Sequence, residues 1–79
     1  MSPLVLKKAL ASLTPREREV LGWLVQGRRD AEIGTILGVS VHTAHKHVQR
    51  ILAKLEAETR TAASHSATEG GFKPPRPNS

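Results

Sequence analysis

The hydrophobic residues between positions 30 and 55 recur at helical spacing and form two runs. The first run covers positions 33–37, and the longer second run covers positions 41–55. Apolar residues three and four positions apart are typical of an amphipathic α-helix, because a half-buried strand would alternate apolar and polar residues. Gly38 permits a tight turn between the runs, and Ser40 is a favourable residue to begin the second. The pattern therefore predicts a helix-turn-helix.

The second predicted helix has one apolar side and one side without negative charge. Its apolar residues occupy an arc of about 100° on a helical wheel. They are Val41, Ala44, Val48, Ile51, Leu52 and Leu55. The opposite side holds His42, Thr43, Lys46, Gln49, Arg50 and Ala53, while His45 and His47 lie on the two flanks. Such side chains reach phosphates and base edges, so the face is either a DNA-recognition surface or a merely basic, solvated one. The preceding turn and short helix favour DNA.

A second signal lies upstream and involves Glu17. Thr14 and Glu17 have the spacing of a capping box, which predicts a helix that starts after Thr14 and stops at Gly27. On the wheel of that helix, Glu17 lies in the middle of the apolar face, which is formed by Val20, Leu21, Leu24 and Val25. A carboxylate turned inward lowers stability unless a donor or a cation satisfies it. The capping box supplies one partner, and Lys54 or Arg60 is the candidate cation, so we interpret Glu17 as structural.

The loop after this helix contains two arginines and a predicted helix cap. We expect Asp30 to cap the short helix that follows, and Gly38 to end it in a left-handed backbone conformation. Arg28 and Arg29 are either solvated loop charges or phosphate contacts. Gly34 lies inside the short helix, where it costs about 1 kcal/mol relative to Ala unless it permits a close approach of the following helix.

The remaining segments define the domain organisation. We expect residues 1–12 to form a lead-in that is a short or frayed helix, and residues 13–67 to form the helix-turn-helix domain, closed by a short helix at about 60–67. Residues 68–79 are rich in Gly and Pro and are expected to be disordered, with Phe72 exposed. The predicted fold is all-α: a small four-helix domain with a central helix-turn-helix, plus a short extra N-terminal helix if the lead-in is helical.

Composition limits the partners. The 79 residues carry a net charge of +5, with a pI near 10.5, which indicates a polyanionic partner, either nucleic acid or a membrane surface. The chain has no cysteine, so disulfides and thiolate metal sites are excluded. No apolar run approaches membrane-spanning length, and no secretory signal pattern opens the chain. We therefore expect a cytoplasmic protein. The predicted helix-turn-helix favours nucleic acid over a membrane surface as the polyanionic partner, so no membrane partner is expected.

The histidines do not form a promising metal site. His42, His45 and His47 are close in sequence, but His47 points about 140° away from His42 on a regular helix. The remaining pair, His42 and His45, has no acidic partner and too few ligands for a metal ion. The sequence also lacks a Gly-rich phosphate loop and a nucleophile elbow, and a chain of this size forms no enzyme pocket readily. We expect no catalytic residues, no metal and no cofactor.

An ordered set of positions runs from about Leu13 to about Ala63. Its members are Leu13 to Leu21, Gly27, Glu32, Ile33, Leu37 to Ser40, Thr43, His47, Ile51, Lys54, Leu55 and Arg60. The set resembles the LuxR-type, or GerE-type, DNA-binding domain of bacterial transcription regulators. Promoter-reading domains of sigma factors share part of it. The resemblance implies sequence-specific binding of double-stranded DNA for transcription regulation, with the helix at about 41–56 in the major groove.

The resemblance also implies residue roles. Base contacts are expected from His45, Lys46 and Gln49. Phosphate contacts are expected from Ser40, Thr43, His47 and Arg50. We assign structural roles to Thr14, Glu17, Gly38, Lys54 and Arg60. The family uses its last helix as a dimer contact, but here that helix carries only small side chains, so we expect a weak homodimer on DNA.

Two departures from the family pattern affect DNA contacts. His45 stands where lysine is frequent, and Asp30-Ala31 stands where Asn-Lys is frequent, so a phosphate contact near Ala31 is missing. His45 can contact a guanine edge or a phosphate, and histidine changes charge between about pH 8 and 6. We therefore predict that DNA affinity rises as the pH falls through this range.

An alternative function keeps the same fold. A lone domain of this type could pair with a full-length regulator and block it, or act as a promoter reader inside RNA polymerase. In both cases it would bind DNA poorly by itself. The small side chains of the last predicted helix count against pairing with a regulator.

Overall fold

The computed structural model describes residues 2–73, which form five α-helices and no strand. The helices are α1 (Pro3–Ala11), α2 (Pro15–Val25), α3 (Asp30–Leu37), α4 (Val41–Lys54) and α5 (Arg60–Glu69). The all-α prediction is confirmed, and the lead-in supplies the extra N-terminal helix. None of the helices in the described part of the chain is long and apolar enough to cross a membrane.

One hydrophobic core joins the helices. α4 packs chiefly against α3 and α2, while α5 packs against α2, α1 and α4. The largest fully buried side chains are those of Val20, Leu21, Ile33, Val48 and Ile51. Burial of each such side chain stabilises the fold by about 1.5–3 kcal/mol. All five lie on the predicted apolar faces, so hydrophobic spacing located the core correctly in α2, α3 and α4.

Two apolar residues lie outside the core that the pattern predicted. Ile36 in the last turn of α3 and Val41 in the first turn of α4 are 44% and 53% exposed. Both flank the turn of the helix-turn-helix. A helical wheel gives the direction of a side chain, but it does not show how far along the helix the neighbouring helices extend. The wheel therefore placed Val41 on the buried stripe, although no neighbouring helix covers it fully.

Side-chain caps fix where α2 and α4 begin. The Thr14 hydroxyl accepts a hydrogen bond from the Glu17 amide at 3.1 Å, while the Glu17 carboxylate accepts one from the Thr14 amide at 2.9 Å. These two bonds complete the predicted capping box. Ser40 begins α4 similarly, since its hydroxyl accepts a hydrogen bond from the Thr43 amide at 3.0 Å. Each cap satisfies a donor that the helix end leaves unpaired, which stabilises the helix by about 1 kcal/mol.

Two glycines shape the turn between α3 and α4. Gly38 has a φ of 72°, the left-handed conformation predicted for it, which Gly adopts without steric cost. A Cβ atom on Gly34 would lie only 2.8 Å from the carbonyl oxygen of Val39. The glycine therefore lets the turn fold closely onto α3, and the Val39 amide donates to the Gly34 carbonyl at 2.9 Å.

The buried carboxylate of Glu17 is paired with Lys54. The Glu17 side chain is 5% exposed, and the Lys54 ammonium donates to its Oε1 at 2.6 Å and to the Ser12 carbonyl at 3.1 Å. Burial raises the pKa of Glu17, but hydrogen bonds from Lys54 and from the Thr14 amide outweigh it and bring the pKa below its usual value. Lys54, rather than Arg60, is therefore the cation that this carboxylate required.

Asp30 does not cap α3, contrary to the prediction. It is the first residue of the helix, and Arg29 occupies the capping position, where its amide donates to the Glu32 carboxylate at 3.1 Å. The Asp30 carboxylate instead accepts a hydrogen bond from Arg60 and contacts the His45 ring. Because these partners lie on α5 and α4, the sequence around Asp30 gave no sign of them.

The chain after α5 folds back onto the core as far as the structure describes it. α5 extends to Glu69, inside the segment expected to be disordered, and the Phe72 amide donates to the Ala67 carbonyl at 2.9 Å. The Phe72 ring is half-buried against the core, with the Arg18 guanidinium 5.5 Å from its centroid. The expectation of an exposed Phe72 is wrong, because the ring has apolar and cationic neighbours. The rest of the predicted tail, 74–79, lies outside the described residues.

Candidate nucleic-acid interface

The outward side of α4 forms an exposed polar surface. His45, Lys46 and Gln49, the residues predicted to contact base edges, are all exposed there, and so is Arg50. The buried side of the same helix consists of Ala44, Val48, Ile51 and Leu52. α4 thus presents one side to the core and the other to the solvent. We use the name α4 face for the exposed residues His42, His45, Lys46, Gln49 and Arg50.

The residues predicted to contact phosphates lie beside the α4 face. Ser40 is exposed, and its hydroxyl donates a hydrogen bond to the Thr43 hydroxyl at 3.1 Å. Thr43 and His47 are half-buried, one turn apart on the same flank of α4. The first amides of any α-helix lack a partner within the helix, and the helix dipole adds positive potential at that end. An anion such as a phosphate is therefore favoured near Ser40.

The α4 face is positively charged and has few acidic neighbours. No acidic residue lies between Val41 and Leu55 in the sequence. Lys46 and Arg50 make no ion pair with any residue in the range 2–73, so the ammonium and guanidinium groups are available to a ligand. Exposed cations of this kind attract polyanions and neutralise phosphates.

One member of the α4 face is already held by a carboxylate. Nδ1 of His45 lies 2.9 Å from Oδ2 of Asp30, at the start of α3. The other Asp30 oxygen accepts a hydrogen bond from Arg60 in α5, and Arg60 also donates to the Arg28 carbonyl at 2.7 Å. Partial burial raises the pKa of Asp30, but the contacts with Arg60 and His45 outweigh it and hold the pKa below its usual value. Asp30 thus links α3, α4 and α5.

The three residues of this cluster were each singled out in the sequence, but their contact with one another was not predicted. His45 and Arg60 lie 15 and 30 positions after Asp30, so helical spacing within one element carries no information about their contact. In the family pattern that the sequence resembles, other residues are frequent at positions 30 and 45, but departures at two positions of one sequence do not show that the two residues are in contact.

In the part of the chain that the structure describes, the other candidate sites include two surface clefts. Within residues 2–73, no group of three His, Cys, Asp or Glu side chains could hold a metal ion. Two surface clefts of about 410 and 330 Å³ are lined by residues of other elements, and neither is lined by α4. What the α4 face offers a ligand is a set of cations, imidazoles and one amide.

Comparison with known proteins places these features in a family. The family described as bacterial regulatory proteins, luxR family, matches residues 11–67. The transcriptional activator protein SolR of Ralstonia nicotianae is 43% identical, across 80% of this chain and 28% of its own length. The transcriptional activator protein BjaR1 of Bradyrhizobium diazoefficiens is 49% identical, across 65% of this chain and 21% of its own. The transcriptional repressor ThaA of Burkholderia thailandensis is 35% identical, across 82% and 27%.

The match covers the helices described above rather than the whole of these relatives. The chain spans less than a third of the length of each of the three. No solved structure matched it. The matched range 11–67 covers more than half of the sequence and contains the stretch, about Leu13 to about Ala63, on which the resemblance was based. The predicted resemblance is confirmed: the chain belongs to the luxR family of bacterial regulatory proteins.

Proposed function

We propose that this domain binds double-stranded DNA sequence-specifically and thereby regulates transcription in the bacterial cytoplasm. α4 enters the major groove, because it is the exposed second helix of the helix-turn-helix. The observation that carries the proposal is the α4 face, where two cations that form no ion pair with any of the residues 2–73 lie beside imidazole and amide groups, on a helix without a carboxylate. Membership of a family of bacterial regulators, with relatives named as an activator and a repressor, supports the regulatory role.

Base recognition and phosphate binding use different parts of α4 in this proposal. The base edges are contacted by His45, Lys46 and Gln49. These three side chains are exposed along the middle of the helix, and their donors and acceptors match base edges in the major groove. Phosphates are contacted by Ser40, Thr43, His47 and Arg50. Such contacts fix the register of the helix on the duplex but carry no sequence information.

α5 supports only weak association between two copies of the domain. Ala63 and Ala67 face the core, and the exposed side chains of the helix are Thr61, His65, Thr68 and Glu69. Stable interfaces need a core of large apolar or aromatic side chains, which this surface lacks. We infer a weak homodimer that forms on DNA.

The alternative function is an interaction module that pairs with a full-length regulator or with RNA polymerase and binds DNA poorly alone. Ile36 and Val41 favour it, because these exposed apolar residues flank the turn and offer a small contact surface. Two residues form a small apolar patch, whereas the α4 face spans several turns of helix. DNA binding is therefore the function to test first.

Fluorescence anisotropy with a pool of random-sequence duplex DNA tests the proposal. We expect binding in the micromolar range or weaker that falls steeply as salt is raised, because phosphate neutralisation releases counterions. The double variant Lys46→Ala/Arg50→Ala should weaken binding and lower the salt slope. Lys7→Ala/Lys8→Ala removes the same charge from α1 and is the matched control. Absence of binding at low salt would refute DNA binding and favour the interaction module.

Sedimentation of the free chain as a tight dimer would refute the weak-dimer inference.

DNA affinity is expected to rise as the pH falls from about 8 to 6, the range in which an ordinary histidine becomes cationic, because His45 lies on the α4 face. Asp30 of α3 faces this ring, Arg60 of α5 binds the same carboxylate, and His42 lies one turn earlier on α4. Anisotropy across this pH range should show a shallower profile for His45→Ala. His65→Ala, on α5, is the control and should leave the profile unchanged. A flat wild-type profile, or one that His45→Ala does not alter, would contradict the prediction.

A further inference from the structure

The imidazole of His45 is held at one nitrogen and exposed elsewhere. Nδ1 lies 2.9 Å from the Asp30 carboxylate, and the His45 side chain is 53% exposed whereas that of Asp30 is 20% exposed. Nε2 of His45 makes no hydrogen bond with any of residues 2–73. Asp30 thus occupies the protein side of the ring and leaves the second nitrogen available to a ligand.

Asp30 is itself held in place. It is the first residue of α3, and its other carboxylate oxygen accepts a hydrogen bond from the Arg60 guanidinium. Arg60 in turn donates to the Arg28 carbonyl at 2.7 Å, so the guanidinium is tied to the α2–α3 loop. A carboxylate fixed in this way keeps one oxygen in a constant position for His45. The lowered pKa of Asp30 keeps it charged at neutral pH.

We propose that Asp30 is a positioning residue for DNA recognition: it fixes His45 with the proton on Nδ1 and leaves Nε2 to contact a base edge. The inference rests on the proposed DNA-binding function. An ionised carboxylate only accepts hydrogen bonds, so the contact with Asp30 requires the proton on Nδ1. In the neutral ring Nε2 is then an acceptor, which suits the amino group of adenine or cytosine. In the protonated ring Nε2 becomes a donor, which suits guanine.

The chemistry of the pair explains why a carboxylate is needed at position 30. An unsupported neutral imidazole exchanges between two tautomers, so its exposed nitrogen alternates between donor and acceptor. Asparagine at this position would have the size of aspartate, but its amide both donates and accepts, and it would not select one tautomer of His45. Asp30→Asn is therefore the informative variant, because it keeps the shape and removes the selection.

Nitrogen NMR of the histidine rings tests the free domain. In the neutral state of the ring, we expect wild-type His45 to carry its proton on Nδ1, and Asp30→Asn to shift the ring toward a mixture of tautomers. Glu32→Gln is the matched control, since it removes a carboxylate from the same helical turn that pairs with Arg28. A wild-type proton on Nε2, or the same mixture in wild type and Asp30→Asn, would overturn the proposal. The wild-type spectrum decides this even if a variant fails to fold.

A double-mutant cycle on DNA binding separates positioning from charge. The probe is the duplex that the wild-type domain selects from a random pool, measured against the pool itself. Asp30→Asn removes a negative charge, which strengthens binding to every sequence alike, but it also releases His45. We expect the preference for the selected duplex to fall about fivefold in Asp30→Asn, and not to change when the same substitution is made in His45→Ala. Glu32→Gln should not change the preference in either background.

The outcomes distinguish the two proposals. If Asp30→Asn lowers the preference equally with and without His45, Asp30 does not act through that ring and the positioning role is overturned, while DNA binding stands. If the wild-type domain binds no duplex at low salt, the proposed function fails and takes the positioning role with it. Loss of preference only when His45 is present supports both.

Discussion

Lys54→Ala is expected to lower the free energy of unfolding by roughly 2–3 kcal/mol, because it leaves the buried carboxylate of Glu17 without its cation. The Lys54 ammonium lies 2.6 Å from that carboxylate, and the Thr14 amide would be the main remaining donor. A fully buried pair would cost more, but Lys54 is 34% exposed and water partly replaces it. The melting temperature of a domain this small should fall by about 10 °C or more. Urea unfolding at neutral pH measures the change.

Two variants show whether the unpaired charge causes that loss. Lys8→Ala removes an exposed lysine from the last turn of α1 and should change stability by less than about 0.5 kcal/mol. Adding Glu17→Gln to Lys54→Ala should restore part of the stability, because a neutral amide needs no cation. If Lys54→Ala were as stable as Lys8→Ala, the ion pair would be irrelevant to folding.

The same pair predicts how stability responds to acid. The pKa of Glu17 in the folded chain lies below its usual value of 4.5, so the unfolded chain binds the proton more readily. The Glu17–Lys54 pair therefore makes its full contribution to the free energy of unfolding above about pH 4.5. That contribution is lost as the pH falls through the pKa of Glu17 in the folded chain. Glu17→Gln should be less stable at neutral pH and should lose less stability between neutral pH and acid than the wild type does.

The sequence showed that Glu17 needed a partner but not which one. Its place on an apolar helix face required a hydrogen-bond donor or a cation. The sequence offered the capping box as one explanation and Lys54 or Arg60 as candidate cations for another. A helical wheel describes one helix at a time, whereas the choice depends on how α4 and α5 cross α2. In the structure, Lys54 forms an ion pair with Glu17, and Arg60 forms one with Asp30. Contacts between helices were thus the part of the fold that periodicity did not determine.

Helix ends were the other part that periodicity described poorly. Val41 has the right direction for the core but lies in the first turn of α4, where it is half exposed. Phe72 follows a Gly pair in a segment of low hydrophobicity, yet its ring packs on the core beside Arg18. Local composition predicts whether a segment can form a core of its own. It does not show whether a single aromatic ring fits beside an existing core.

The α4 face, in contrast, was largely predictable. An amphipathic helix with no acidic residue predicts an exposed cationic side, and Lys46, Gln49 and Arg50 are exposed as expected. The wheel placed His45 only at the margin of that side, and it gave no indication of the carboxylate beside the ring, because Asp30 belongs to another helix. Hydrophobic periodicity therefore located the α4 face. The contact between Asp30 and His45 became visible only in the tertiary fold.

Lys46→Ala is expected to relax sequence preference, with a loss of about 1–3 kcal/mol in discrimination at one base position. Its side chain is exposed on the α4 face and makes no ion pair with a described residue, so an ammonium donor is available to a guanine edge. The measurement is competition between the selected duplex and single-base variants of it. Affinity for the random pool should fall much less than affinity for the selected duplex.

Arg50→Ala, one turn later on the same helix, is the matched comparison, because it removes the same charge from a position proposed to bind phosphate. It should weaken binding to the selected duplex and to the random pool by the same factor. It should also reduce the slope of log affinity against log salt concentration by about one, which corresponds to one phosphate contact. Lys8→Ala on α1 should change neither quantity. If both α4 variants weakened binding to all duplexes alike, Lys46 would contact the DNA backbone only. Sequence choice would then have to come from Gln49 and His45, or from the shape of the DNA.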